Sequence, residues 1–238
     1  MNALAIRPGD FSKYGCEFIG SFMLVFFAAG AVMVDAVTDG LGAIGAGLIS
    51  GLVITIVIYS FGHVSGGHVN PALSLAAAYL GKLEKRLVPG YIVAQLAGSA
   101  TAGFVLLWTV GRHGDMGANL PNTALGVTPL GAFAIELILS FILMWVICGA
   151  AYDDKNTDTA FAGVAIGATV GIEVMLMAPY AGAAMNPARA FGPYLALGDF
   201  THFWIYVVGP VAGMLAGAAI YRFTHLLPDD RADNAQEP

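Results

Sequence analysis

An all-α membrane protein, with six transmembrane helices and two re-entrant half-helices in an inverted repeat, is the fold class this sequence predicts. Three observations carry that expectation. Of the 238 residues, 58% are hydrophobic and only 11% charged, against about 25% charged in a soluble domain, and the mean hydropathy is +0.75. Apolar runs of about 20 residues, the length that crosses a ~30 Å hydrocarbon core, recur six times. The chain also repeats itself, with an odd number of runs in each copy.

In chain order, the spans are expected near 13–35, 41–62, 88–110, 130–152, 160–179 and 202–224. Charge and glycine punctuate the gaps, as in GKLEKR from Gly81 and DDKN from Asp153. Residues 15–34 resemble a secretory leader. Glu17 interrupts the run, however, and a second copy stands downstream, so a retained span is expected. Lys and Arg set the orientation. With both termini cytoplasmic, Arg7, Lys13, Lys82, Lys85, Arg86, Lys155, Arg222 and Arg231 fall inside; Arg112 alone is left in an outer loop, and Arg189 belongs to a different segment. The cytoplasmic (inner) membrane is the expected location.

The repeat is legible by eye. EFIGSFML from Glu17 in the first span matches ELILSFIL from Glu136 in the fourth. YIVAQLAG from Tyr91 in the third matches YVVGPVAG from Tyr206 in the sixth. Between them stand GGHVNPA from Gly66 and GAAMNPA from Gly182. With three spans per copy, the second copy lies upside down relative to the first, as in many membrane transport proteins.

The two Asn-Pro-Ala triplets, Asn70-Pro71-Ala72 and Asn186-Pro187-Ala188, explain themselves as helix starts. An Asn side chain caps free N–H groups, and Pro fits the first helical position. The helix that each triplet opens is about two turns long, too short to span. Each is expected to dip into the membrane as a half-helix, the two entering from opposite sides with their N-termini meeting near the midplane. Each N-terminus carries roughly half a positive charge. Irregular backbone at that depth survives only inside protein or along a water-filled cavity. The glycine-rich stretches before the triplets would supply a ladder of unpaired carbonyls, and the two Asn amides central donors. Such an arrangement passes neutral, hydrogen-bonding molecules and repels cations and protons.

Glu17 and Glu136 are expected to support these loops by accepting hydrogen bonds from their backbone N–H groups, in preference to relaying protons. Arg189, one turn into the second half-helix, faces either a carboxylate partner or the pore; the pore is the expectation, where it would donate to solutes and raise the barrier to cations. His68 is a candidate pore-lining residue, although loop histidines such as His63 and His68 more often cap backbone groups. Glu173, in the fifth span without a counterpart in the second, faces either the pore or a neighbouring subunit. Gly98, Gly103, Gly213 and Gly217 allow close helix packing. Cys16 and Cys148 sit in apolar runs with no metal or disulfide spacing. No nucleophile–base pair or metal cluster is visible, so neither enzyme chemistry nor a cofactor is expected. Ten scattered basic residues and a net charge of −6 exclude a nucleic-acid surface. A passive channel is the leading function. An ion-coupled secondary transporter ranks lower, because few intramembrane acids stand beyond the repeat glutamates.

The doubled motif, SGGHVNPA and GAAMNPAR led by Glu17 and Glu136, closely resembles the aquaporin or major intrinsic protein family over about residues 12–225. The resemblance implies one pore per subunit in a homotetramer, with Asn70 and Asn186 at the central constriction and Arg189 in an outer selectivity filter. The family places the other filter positions twenty residues before the first Asn, and twelve and three before the second, which implies Ser50, Val174 and Ala183. Water-selective members typically carry Phe and His at the first two, and glycerol facilitators an Asp after the Arg, where this chain has Ala190. The stretch around Thr157 and Gly163–Val170, with Ala178-Pro179, is most similar to the nodulin-26-like branch and its bacterial relatives. That branch implies passage of water, glycerol, urea or neutral metalloid hydroxides such as arsenous and boric acid; a strictly water-selective channel is the alternative. The expected organisation is a cytoplasmic N-terminus over 1–12, one channel domain over 13–225 (repeats about 13–110 and 130–225), and a cytoplasmic tail over 226–238.

Overall fold

The computed structural model describes residues 8–226, so Arg7 and Arg231, like most of the two expected terminal segments, lie outside the described residues. The described chain is helical, without a strand. Its α-helices are α1 (Pro8–Thr38), α2 (Gly42–Ser65), α3 (Pro71–Tyr79), α4 (Val88–Thr109), α5 (Pro129–Ile147), α6 (Ala162–Ala181), α7 (Pro187–Leu197) and α8 (Ile205–Tyr221). Single π-helical turns extend α5 over Cys148–Tyr152 and α8 over Arg222–Leu226. Six helices, all but α3 and α7, are long and apolar enough to cross a membrane.

Local chemistry sets the boundaries. α1 starts at Pro8, earlier than the expected residue 13, because Pro suits the first turn and Asp10 complements its positive end. Asp35 closes the short connection to α2: its Oδ1 accepts the N–H groups of Leu41 at 2.9 Å and Gly42 at 2.7 Å. The Thr128 hydroxyl caps α5, with Pro129 behind it. α2 and α6 end alike, on left-handed Gly66 and Gly182.

α1 packs on α4 and α5 packs on α8, while α2 and α6 meet at the centre. Half-helix α3 lies against α8, and α7 against α4, so each half-helix packs on the last span of the opposite repeat. At the α1–α4 crossing a Cβ on Gly98 would strike the Phe18 carbonyl oxygen, and at α5–α8 one on Gly213 would strike that of Leu137. These pairs occupy equivalent places in the two copies.

α7 is longer than the two turns expected. It runs through Pro193 to Leu197 and stops at left-handed Gly198. Pro193 lies inside the helix and is buried, and it removes one intrahelical donor. Arg112 reaches across to donate to the carbonyls of Leu197 at 2.9 Å and Ala196 at 3.3 Å, closing the helix end.

Candidate functional site

The two Asn-Pro turns meet head to head. Asn70 Oδ1 accepts the N–H groups of Ala72 at 2.9 Å and Leu73 at 3.4 Å, and Asn186 Oδ1 those of Ala188 at 2.9 Å and Arg189 at 3.2 Å. The amide nitrogens then cross between the halves. Asn70 Nδ2 donates to the Met185 carbonyl at 2.9 Å, and Asn186 Nδ2 to the Val69 carbonyl at 2.8 Å. Each Nδ2 bears two hydrogens, so the lock leaves each Asn a second donor. Pro71 and Pro187 sit at the first helical positions with Ala72 and Ala188 buried behind them.

The residue before each Asn is strained. Val69 and Met185 hold φ at 44° and 52°, a left-handed conformation that is costly for a β-branched side chain above all. The repeat glutamates hold these turns. Fully buried Glu17 accepts from His68 N at 2.9 Å and Val69 N at 2.6 Å, and Glu136 from Ala184 N at 2.8 Å and Met185 N at 2.7 Å. The Ser65 hydroxyl and Gln95 Nε2 also donate to Glu17, both at 2.7 Å. The equivalent tyrosines of the two copies repeat the logic: Tyr91 donates to the Ser65 carbonyl ending α2, and Tyr206 to the Ala181 carbonyl ending α6.

The expected carbonyl ladder is partly paired: the carbonyls of Gly66, Gly67, His68, Ala183 and Ala184 accept no hydrogen bond among the described residues, while others are taken. The Val69 and Met185 carbonyls are taken by the Asn lock, and that of Gly182 by Asn119 Nδ2 at 2.7 Å. Strained turns expose polar backbone inside the bundle, and the fold pairs those groups wherever a side chain reaches them.

Ser50, Val174, Ala183 and Arg189 line one cavity together with Asn70 and Asn186, and His68 and Tyr152 also belong to its wall. His68 sits between two hydroxyls, Ser74 Oγ facing Nδ1 and Tyr152 facing Nε2, each at 3.2 Å. His63 is exposed near the end of α2. A second opening, with Asp35, Asp115, Asn119 and Asn122 in its wall, shares Arg189 with the first. Arg189 Nη1 donates to the Gly117 carbonyl at 2.8 Å and to Asn119 Oδ1 at 2.9 Å, leaving Nη2 and Nε without a protein acceptor among the described residues. Its guanidinium is thus pinned by one corner and offers the rest to the cavity.

Four contributors escaped the sequence analysis. Asn119 holds Arg189 and Gly182, and its own carbonyl accepts from Tyr194 at 2.7 Å. Ser99 donates to the Ala188 carbonyl and accepts from Gly192 N, fixing α7 on α4. Gln95 links Glu17 to Ser74, and Tyr152 faces His68. Gln95 alone carried a sequence signal, as an amide inside an apolar span. Glu173, left open between pore and neighbouring subunit, is buried inside the single chain at 5% exposure.

Abutting half-helices within six crossing-length spans, related by an inverted repeat, define an integral membrane protein of transport architecture. Comparison with known proteins gives the family. The major intrinsic protein family model matches residues 8–221. The chain is 38% identical over 228 residues to aquaporin NIP1-1 of Zea mays, covering 94% of this chain and 79% of that one. It is 39% identical over 211 residues to nodulin-26 of Glycine max, covering 88% and 76%. Among solved structures, the aquaglyceroporin from Plasmodium falciparum superposes with a TM-score of 0.77 at 25% identity, covering 90% of this chain and 96% of that one. The chain belongs to the major intrinsic protein family.

Proposed function

We propose that the chain is a passive transmembrane channel for water and small neutral solutes, among them glycerol, urea and metalloid hydroxides, that excludes protons and ions. The convergence of Ser50, Val174, Ala183, Arg189 and the two Asn side chains on one cavity carries this reading. Asn70 and Asn186 form the central constriction, and their second amide hydrogens donate to a passing solute. Two half-helix N-termini there oppose cations. Arg189 guards the filter, and the small residues facing it leave room for a polyol. Glu17 and Glu136 keep the constriction in shape.

The channel domain spans 13–225, between short cytoplasmic segments at 1–12 and 226–238. Both termini face the cytoplasm, and the protein resides in the inner membrane as a homotetramer with a pore in each subunit. The exposed apolar side chains of Leu48, Leu52, Ile172 and Leu176 suit lipid or a neighbouring subunit.

Stopped-flow light scattering on proteoliposomes tests the reading. The native protein is expected to pass water and glycerol in both directions, independently of ion gradients. Ser50→Phe with Val174→His narrows the filter and adds a donor, so glycerol flux is expected to fall far more than water flux. A native protein that passes water but excludes glycerol, urea and arsenous acid would leave the strictly water-selective channel standing. Uptake that collapses with a proton or sodium gradient would make it a coupled transporter.

A further inference from the structure

α6 carries an acid that no part of the proposed path uses. Glu173 is 5% exposed, and neither carboxyl oxygen has a hydrogen-bond partner among the described residues. The other two buried membrane acids are built differently, since Glu17 and Glu136 each hold backbone N–H groups in place. Glu173 holds nothing, so no contact assigns it to supporting the fold. Burying an unpaired polar group works against folding, and a Leu or Met would fill the same space without that penalty.

Its place on the helix points to a use. Ala162, Ile166, Val170 and Val174 follow one another at every fourth residue, and all four line the cavity. Glu173 stands seven residues beyond Ile166, about two turns, which puts it on the same side of α6. It also directly precedes Val174. The charge acting on it from α5 is that of Glu136. From α7, Arg189 acts on Glu136, and α2 brings only the neutral hydroxyl of Ser50 to that cavity. Glu173 has neither an ion-pair nor a hydrogen-bond partner among the described residues, so both carboxyl oxygens are available to a solute. As a neutral acid it has one O–H donor and a carbonyl acceptor.

We propose that Glu173 is a specificity residue of the permeation path, a hydrogen-bonding post that meets hydroxyl-bearing neutral solutes beside Val174. Its side chain has three rotatable bonds and no hydrogen bond to break. Turning the carboxyl between Val170 and Val174 therefore exchanges apolar surroundings for a polar partner. The α6 side of the cavity is apolar, with Ala162, Ile166, Val170 and Val174 along it, and the Glu173 carboxyl lies beside that lining rather than in it. A polyol or metalloid hydroxide must shed water from several O–H groups as it enters, and the acid's donor and acceptor replace part of that hydration. Water has fewer groups to satisfy and relies on Arg189 and the Asn amides.

This inference rests on the channel reading, and one experiment separates the two. Full-length native protein, Glu173→Leu and Glu173→Gln are reconstituted in proteoliposomes, and water and glycerol permeabilities are measured by stopped flow alongside yield and thermal stability. Native protein is expected to pass both molecules. Glu173→Leu, which removes one hydrogen-bonding post, is expected to lower the glycerol-to-water ratio about fivefold with yield and thermal stability equal to native or better. Glu173→Gln retains a donor and an acceptor and is expected to keep most of the native ratio. A Leu variant with the native ratio, or one that loses yield and thermal stability together, overturns the proposal, as does a Gln variant impaired as badly as Leu. Native protein that passes neither water nor glycerol sinks the channel reading itself.

Discussion

At the scale of single residues, the site is held by few groups with many bonds. Asn119 pins Arg189 with Oδ1 and the Gly182 carbonyl with Nδ2. Asn119→Ala leaves a buried guanidinium donor and a backbone carbonyl unpaired, which costs about 1–3 kcal/mol. A lower melting temperature is expected, together with a fall in glycerol flux larger than that in water flux, because Arg189 is free to lean into the opening. Retention of both properties would show that the Gly117 carbonyl alone positions the guanidinium. The glutamates follow the same logic. Glu17 accepts from four donors and Glu136 from two. An amide replaces one acceptor oxygen with a donor, and each charge-assisted bond contributes about 1.5–3 kcal/mol. Glu17→Gln is therefore expected to harm folding more than Glu136→Gln. Detergent-stable yield and melting temperature give the comparison, and normal stability with altered proton flux would instead favour proton relay.

At the scale of elements, close crossings and loop anchors decide the packing. Gly98→Ala and Gly213→Ala place a Cβ against backbone carbonyls of the partner helix. Each is expected to destabilise by about 1–3 kcal/mol, read as a drop in melting temperature. Gly15, within α1, has open space around a built Cβ, so Gly15→Ala is expected to be neutral or to stabilise by about 0.5–1 kcal/mol through helix propensity. If all three behave alike, crossing distance is not what these glycines provide. Beyond the end of α5, the Lys155 N–H and the Tyr221 hydroxyl hold the Asp153 carboxyl below its ordinary value of 3.8. A pKa lowered by folding contributes stability above the unfolded value, and that contribution fades as the pH falls through the folded one. Asp153→Asn is thus expected to lower the melting temperature at neutral pH, with the gap to native closing only in acid, below about pH 4. A gap that stays constant from neutral pH into that acid range would show that the carboxylate's charge is not what ties the loop to α8.

At the scale of the whole molecule, the inverted repeat turns two short helices into one electrostatic device. Their N-termini meet because each half-helix packs on the last span of the other copy and because the Asn side chains bond across. On the proposed channel reading, two helix ends and one guanidinium raise the potential along the path. Asn70→Asp, Asn186→Asp and Arg189→Val together remove positive potential and add negative charge. The combined variant is expected to show a cation current under voltage clamp that the native protein lacks. A variant that folds, conducts water and still shows no ion leak would refute the electrostatic account.

The sequence by itself determined the features that depend on local pattern. Apolar runs of spanning length gave six helices, Asn-Pro gave two helix starts, and the matching segments at Glu17 and Glu136, and at Tyr91 and Tyr206, gave the repeat. The second Asn-Pro segment singled out Arg189, and the resemblance to the family implied Ser50, Val174 and Ala183; all four line one cavity. Tertiary structure decided everything that joins distant parts of the chain. The Asn lock links residues more than a hundred positions apart, and Asn119 meets Arg189 across two intervening spans. Nothing local marks Asn119 or Ser99 as different from any other polar residue in a loop or helix. The same limit applied to Glu173: from its place in the fifth span it fits the pore or a neighbouring subunit alike, and only the folded chain shows it buried within one subunit. Hydrogen-bond partners depend on where the backbone goes, and in an inverted repeat that path is set by the contacts between the two halves.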